Sequence, residues 1–100
     1  MSKYLITYHN SAMPNDPAVL EQAKIAFGKW LQQAGKAVID PGAPTHMTSQ
    51  VASGNPSSAV EIGGYSIIEA ADENEAAKIL QTHPFVSRGG TLQVNKIMTT

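Results

Sequence analysis

The sequence predicts an α+β domain in the order βαββαβ: four antiparallel strands in one sheet, with two helices packed on one face. Three observations predict it. Residues 59–98 spell out a strand, a capped helix, a helix stop and a returning strand. Residues 3–40 repeat that unit in pattern, though not in sequence. The length, 100 residues with 42% hydrophobic and 15% charged side chains, suits one core and therefore a single domain over residues 1–100. Two strand–helix–strand units joined edge to edge give the split βαβ, or ferredoxin-like, arrangement.

The first strand is expected over residues 3–9, where Tyr4, Ile6 and Tyr8 alternate with Leu5, Thr7 and His9. A Pro-Asn-Asp-Pro loop follows. Asp16 before Pro17 is a helix start, because the carboxylate can cap free amides while proline gives up an amide that had no partner. The helix then runs over residues 17–34 with an apolar stripe of Leu20, Ala23, Phe27, Trp30, Leu31 and Ala34, and Gly35 stops it. Trp30 is thus expected in the core. A short second strand is expected over residues 36–40.

Residues 41–58 are rich in Pro, Gly, Ser and Thr, and are expected to form a long loop that serves as a lid or pocket wall. Only residues 47–51 could pair there as an extra strand. The third strand is expected over residues 59–70, interrupted by Gly63-Gly64, where a bulge would fall. The second helix opens at Asp72-Glu73-Asn74-Glu75 and stops at His83-Pro84. A turn of Ser87, Arg88, Gly89 and Gly90 leads to the last strand, residues 90–98.

Charge excludes some functions. A net charge of −1, with seven scattered Lys and Arg residues, gives no field to gather phosphates, so nucleic acid is not an expected partner. With no cysteine there can be no disulfide, thiolate nucleophile or Cys-based zinc site. No apolar run is long enough to span a membrane, and the N-terminus enters a strand pattern without a cleavable signal. A cytoplasmic protein is expected. The three histidines fall in different elements without ligand spacing, so neither a metal nor another cofactor is expected.

Strand patterning points to a partner. A sheet covered on one side only should alternate apolar and polar residues, yet the third and fourth strands carry apolar side chains on both faces. The open face is therefore expected to pack on the same face of a second copy, forming a dimeric α/β barrel. A cavity there, lined by Thr7, His9, Tyr65, Gln93 and Asn95 with His46 swinging over it from the loop, would take a small polar or aromatic molecule. The alternative is a small acid/base enzyme, an isomerase, lyase or hydrolase, in which His9 works with Asp40 or Glu61. Asp40 could instead simply brace its Asp-Pro-Gly turn. His83 is read as structural, its ring meeting the last carbonyls of the second helix.

Several segments, in their order and spacing, resemble the YCII-related family, nearest its DGPF branch. They are residues 4–8, Tyr-Leu-Ile-Thr-Tyr; the Trp30 to Gly35 passage with Gly42-Ala43-Pro44; residues 63–70; Glu75-Ala76; His83-Pro84-Phe85; and residues 89–94. The resemblance implies a small dimeric ferredoxin-like barrel, in most members without an assigned reaction. Part of the family pairs a His on the first helix with an Asp as acid and base, but residues 17–34 contain no His. Gly54-Asn55-Pro56-Ser57 stands where Asp-Gly-Pro-Phe is expected. No catalytic residue is carried over from the family.

Overall fold

The computed structural model describes residues 1–10 and 16–99. The loop before Asp16 falls largely outside them. Strand β1 (Ser2–His9) leads to helix α1 (Pro17–Ala34), a 3-10 turn (Gly35–Ala37) and strand β2 (Val38–Pro44). After the long connection come β3 (Gly64–Ala70), α2 (Glu73–Gln81), the short α3 (Pro84–Ser87) and β4 (Thr91–Lys96). The strands lie in the order β2-β3-β1-β4 and all pairs are antiparallel, which is the ferredoxin-like topology.

The helices begin where capping chemistry puts them. Asp16 accepts the Ala18 N–H at 2.9 Å, with Pro17 at the first helical position. In α2, Asp72 accepts the Glu75 N–H and Glu75 reaches back to the N–H of Ala71, the residue before the cap, so two free amides are satisfied in a variant of the capping box. Every residue of the α1 stripe is buried or half-buried, Trp30 most deeply, and its indole N–H donates to the Ile79 carbonyl at 3.2 Å. Tyr4, Ile6, Ile68, Ala70, Ala76 and Leu80 complete the dry core between sheet and helices.

Four details differ from the sequence expectation. Strand β2 starts later and continues to Pro44, because an edge strand tolerates the prolines that would break a central one. It carries register shifts on both sides of Asp40. Strand β3 starts at Gly64, and residues 59–63 belong to the connection; Gly63 N–H donates to the Tyr8 carbonyl at 2.8 Å as the chain leaves the sheet. Residues 47–51 form no strand. Finally, His83-Pro84 ends one helix and starts another. The His83 side chain accepts the Phe85 N–H at 3.0 Å and caps α3, so it serves a helix N-terminus and not the C-terminal carbonyls of α2.

Candidate functional site

On the helix face, β1 contributes Tyr8, β3 contributes Ser66 and the start of α3 contributes His83. The Tyr8 hydroxyl lies 2.7 Å from Ser66 Oγ and 2.9 Å from His83 Nε2, while Ser66 Oγ donates to the Pro41 carbonyl at 2.8 Å. Proton counting fixes the direction of every bond. Ser66 has one proton and gives it to Pro41, so it must accept from Tyr8. Tyr8 therefore accepts from His83, whose Nε2 carries the proton because Nδ1 is already accepting from Phe85.

His83 is 2% exposed. Its ring sits 4.4 Å from Trp30, 5.5 Å from Phe27 and 5.3 Å from Tyr8, centroid to centroid. Burial among these rings, with a smaller contribution from the Arg88 charge, lowers its pKa to about 4, so the imidazole is neutral near neutral pH. Burial likewise raises Tyr8, opposed in part by its bond to Ser66. The sequence reading missed Tyr8 and Ser66. Each lies two residues from a core residue of its strand, Ile6 and Ile68, and so on the same core face, where a hydroxyl must find a partner.

The open face carries most of the residues expected to bind a ligand. The register sets Tyr65 opposite Thr7 and Thr7 opposite Gln93, a single row across three strands. The next row is apolar at its centre, Ile67 beside Leu5, with Asn95 at one end and Asp40 at the other. His9 closes the end of β1, and its Nε2 lies 2.8 Å from the hydroxyl of Thr7. The Gln93 amide donates to Asn95 at 3.1 Å, and Asn95 also donates to the Leu5 carbonyl.

The carboxylates proposed as partners of His9 are engaged elsewhere. Asp40 Oδ1 accepts the Gly42 N–H at 2.8 Å, bracing the turn. Glu61 pairs with His46 at 3.1 Å and also accepts the Met47 N–H. His9 and Glu61 nevertheless line one cleft of about 400 Å³ with Tyr8, Asn10 and Val60. His46 stands on a projecting arm, residues 45–63, tied at its base by Thr45 N–H to the Gly63 carbonyl and the Thr45 hydroxyl to the Ile62 carbonyl. Among the described residues, no three His, Asp or Glu side chains gather as metal ligands, and no helix is long and apolar enough to cross a membrane.

The split βαβ sheet, the His83-Pro84-Phe85 turn and the Gly42-Ala43-Pro44 edge all occur in the order the sequence resemblance required, and residues 2–99 match the YCII-related domain. The chain belongs to the YCII-related family. No curated protein matches its sequence. Among solved structures, the chain is similar to 5-chloro-2-hydroxyhydroquinone dehydrochlorinase (TftG) from Burkholderia phenoliruptrix AC1100, in complex with 2,5-dihydroxybenzoquinone. The TM-score is 0.62 and the identity 18%, over 98% of this chain and 95% of that one. At that identity the likeness establishes the shared fold. Within this YCII-related chain, the chemistry has to be argued from its own residues.

Proposed function

We propose that this YCII-related chain, nearest the DGPF branch, is a cytoplasmic homodimer that binds a small oxygenated ring compound on the open face of its sheet. The row Tyr65, Thr7, Gln93, with His9 held against Thr7, carries the reading. It sets an aromatic side chain beside a hydroxyl, an imidazole and a carboxamide, with the apolar pair Leu5 and Ile67 in the next row of the same face. A planar ring with hydroxyl and carbonyl substituents satisfies that arrangement, stacking on the aromatic and hydrogen-bonding at its edge. The dihydroxybenzoquinone bound to the structural neighbour belongs to this ligand class and supports the choice.

The second copy completes the cavity. The domain is only 19 Å thick, one sheet and one helix layer, and it leaves Ile39, Ile97 and Met98 exposed at or beyond the strand ends. A thermal-shift series with hydroxylated benzoquinones and hydroquinones is expected to raise the melting midpoint, and His9→Ala and Tyr65→Leu should lose the gain. No shift with any member of the series would overturn the ligand class. A monomer in sedimentation equilibrium at micromolar concentration would overturn the dimer.

The shared cleft of His9 and Glu61 favours a second reading, an acid/base enzyme acting on the same class of ring. Turnover of such compounds that is lost in both His9→Ala and Glu61→Gln would select it over simple binding.

A further inference from the structure

The hydrogen-bond chain on the helix face does not end at Pro41. The peptide whose carbonyl accepts from Ser66 is the one whose N–H, on Gly42, donates to Asp40 Oδ1 at 2.8 Å. The full path is therefore His83 Nε2–H to Tyr8, Tyr8 O–H to Ser66, Ser66 O–H to the Pro41–Gly42 peptide, and that peptide's N–H to the carboxylate of Asp40. Every donor points the same way. An amide that accepts at oxygen becomes a better donor at nitrogen, so aligned bonds of this kind strengthen one another.

Local geometry builds this path deliberately. Gly42 has φ 74°, and a Cβ there would lie 1.7 Å from the Tyr65 carbonyl oxygen. Only glycine lets the β2 backbone press this closely on β3, and that approach brings the Pro41 carbonyl within reach of Ser66. The path starts in a pocket of aromatic rings and crosses β1, β3 and β2. It finishes on Asp40, which the register sets against Ile67, an open-face residue. Asp40 Oδ2 has no hydrogen-bond partner among the described residues.

We propose that His83 is a positioning residue for Asp40, acting through Tyr8, Ser66 and the Pro41–Gly42 peptide to orient and polarise its carboxylate, and that Asp40, set against Ile67, adds an anchor for a ligand hydroxyl to the open-face row. The ligand part rests on the function proposed above; the coupling between His83 and Asp40 does not. Because the path includes a peptide group, it transmits polarisation and orientation and does not carry a proton from end to end.

The test is a double-mutant cycle read by NMR on the full chain. Asp40→Asn removes the terminal anion and is expected to move the His83 Nε2–H proton resonance upfield, although four hydrogen bonds separate the two. Ser66→Ala breaks the path at its middle, so adding Asp40→Asn to it should move that resonance no further. In reverse, Tyr8→Phe, which keeps the ring in place, should move the Gly42 amide resonance upfield. An Asp40 effect on His83 of equal size with and without Ser66, or no effect at all, would overturn the proposal. With a ring ligand in hand, Asp40→Asn should weaken its affinity about tenfold, as expected for the loss of a hydrogen bond to a charged group, and unchanged affinity would overturn the anchoring role. If no ligand binds but the NMR coupling is present, the functional reading fails and the relay stands.

Discussion

The two faces of the same sheet satisfy their polar side chains in opposite ways. On the helix face the partners are distant in sequence: Tyr8 bonds Ser66 and His83, 58 and 75 positions away, and Ser66 bonds Pro41, 25 away. On the open face the side-chain pairs are Thr7 with His9 and Gln93 with Asn95, each two positions apart along one strand. The dry face must close every polar group on another, because an unpaired one there costs about 1–3 kcal/mol. On the open face these side-chain pairs are short-range, although Asn95 also reaches the Leu5 carbonyl across the strands and Thr7 is itself buried beneath its neighbours.

If long-range closure on the helix face depends on the tight β2–β3 approach, Gly42 is the place to break it. Gly42→Ala would put a methyl group on the Tyr65 carbonyl in a backbone conformation that disfavours any side chain. A loss of about 3–5 kcal/mol is expected in urea unfolding. Gly35→Ala sharpens the point. Gly35 also has positive φ, at 56° with ψ −124°, but nothing lies within 4 Å of its added Cβ, so backbone strain alone, about 2 kcal/mol, is expected. Equal losses would mean that backbone conformation alone, and not the approach of two strands, sets the cost.

The dry face also predicts a pH dependence. Burial, helped by Arg88, holds folded His83 at about 4, against an ordinary value near 6.5. Between these values the unfolded chain binds a proton that the folded chain refuses. The contribution is therefore fully present above about pH 6.5 and is lost as the pH falls toward 4. Discounting the solvent-screened Arg88 part, the loss should be on the order of 2 kcal/mol. Protonation would also force a second donor onto Nδ1, which faces the Phe85 N–H. Urea midpoints for wild type and His83→Gln at pH 7 and pH 4.5 check this: the variant should lack the His83 share of the decline, and parallel curves would refute it.

The same contrast explains what could be read from the chain in advance. Caps at Asp16 and Asp72, the α1 stripe through Trp30, and the alternation in β1 and β3 are local, and their elements were legible within a few residues. The ends of β2 and β3 were not. Whether Pro41 may sit in a strand depends on that strand lying at the sheet edge, a fact of topology. The shared face of Thr7, His9 and Tyr65 was legible because strand alternation sorts them onto one side. His83 was misjudged because its position after a helix suggested a C-terminal donor, whereas its chemistry is set by the Phe85 amide and by three surrounding rings, Phe27 and Trp30 from α1 and Tyr8 from β1.

The smallest effect is expected on the projecting arm, where neither kind of closure operates. His46 and Glu61 face each other at 3.1 Å, but their side chains are 85% and 53% exposed. Water competes for both groups and salt screens the pair, so His46→Ala should change stability by no more than about 0.5 kcal/mol. The arm's fixed geometry comes instead from its base, where Thr45 bonds the Gly63 and Ile62 carbonyls and Gly63 bonds Tyr8. Thr45→Val removes the hydroxyl link while keeping the side-chain shape. It should speed exchange of the amides at positions 45 and 63, the two bonded across the base, more than His46→Ala does, and the opposite ranking would place the arm's order in its ion pair.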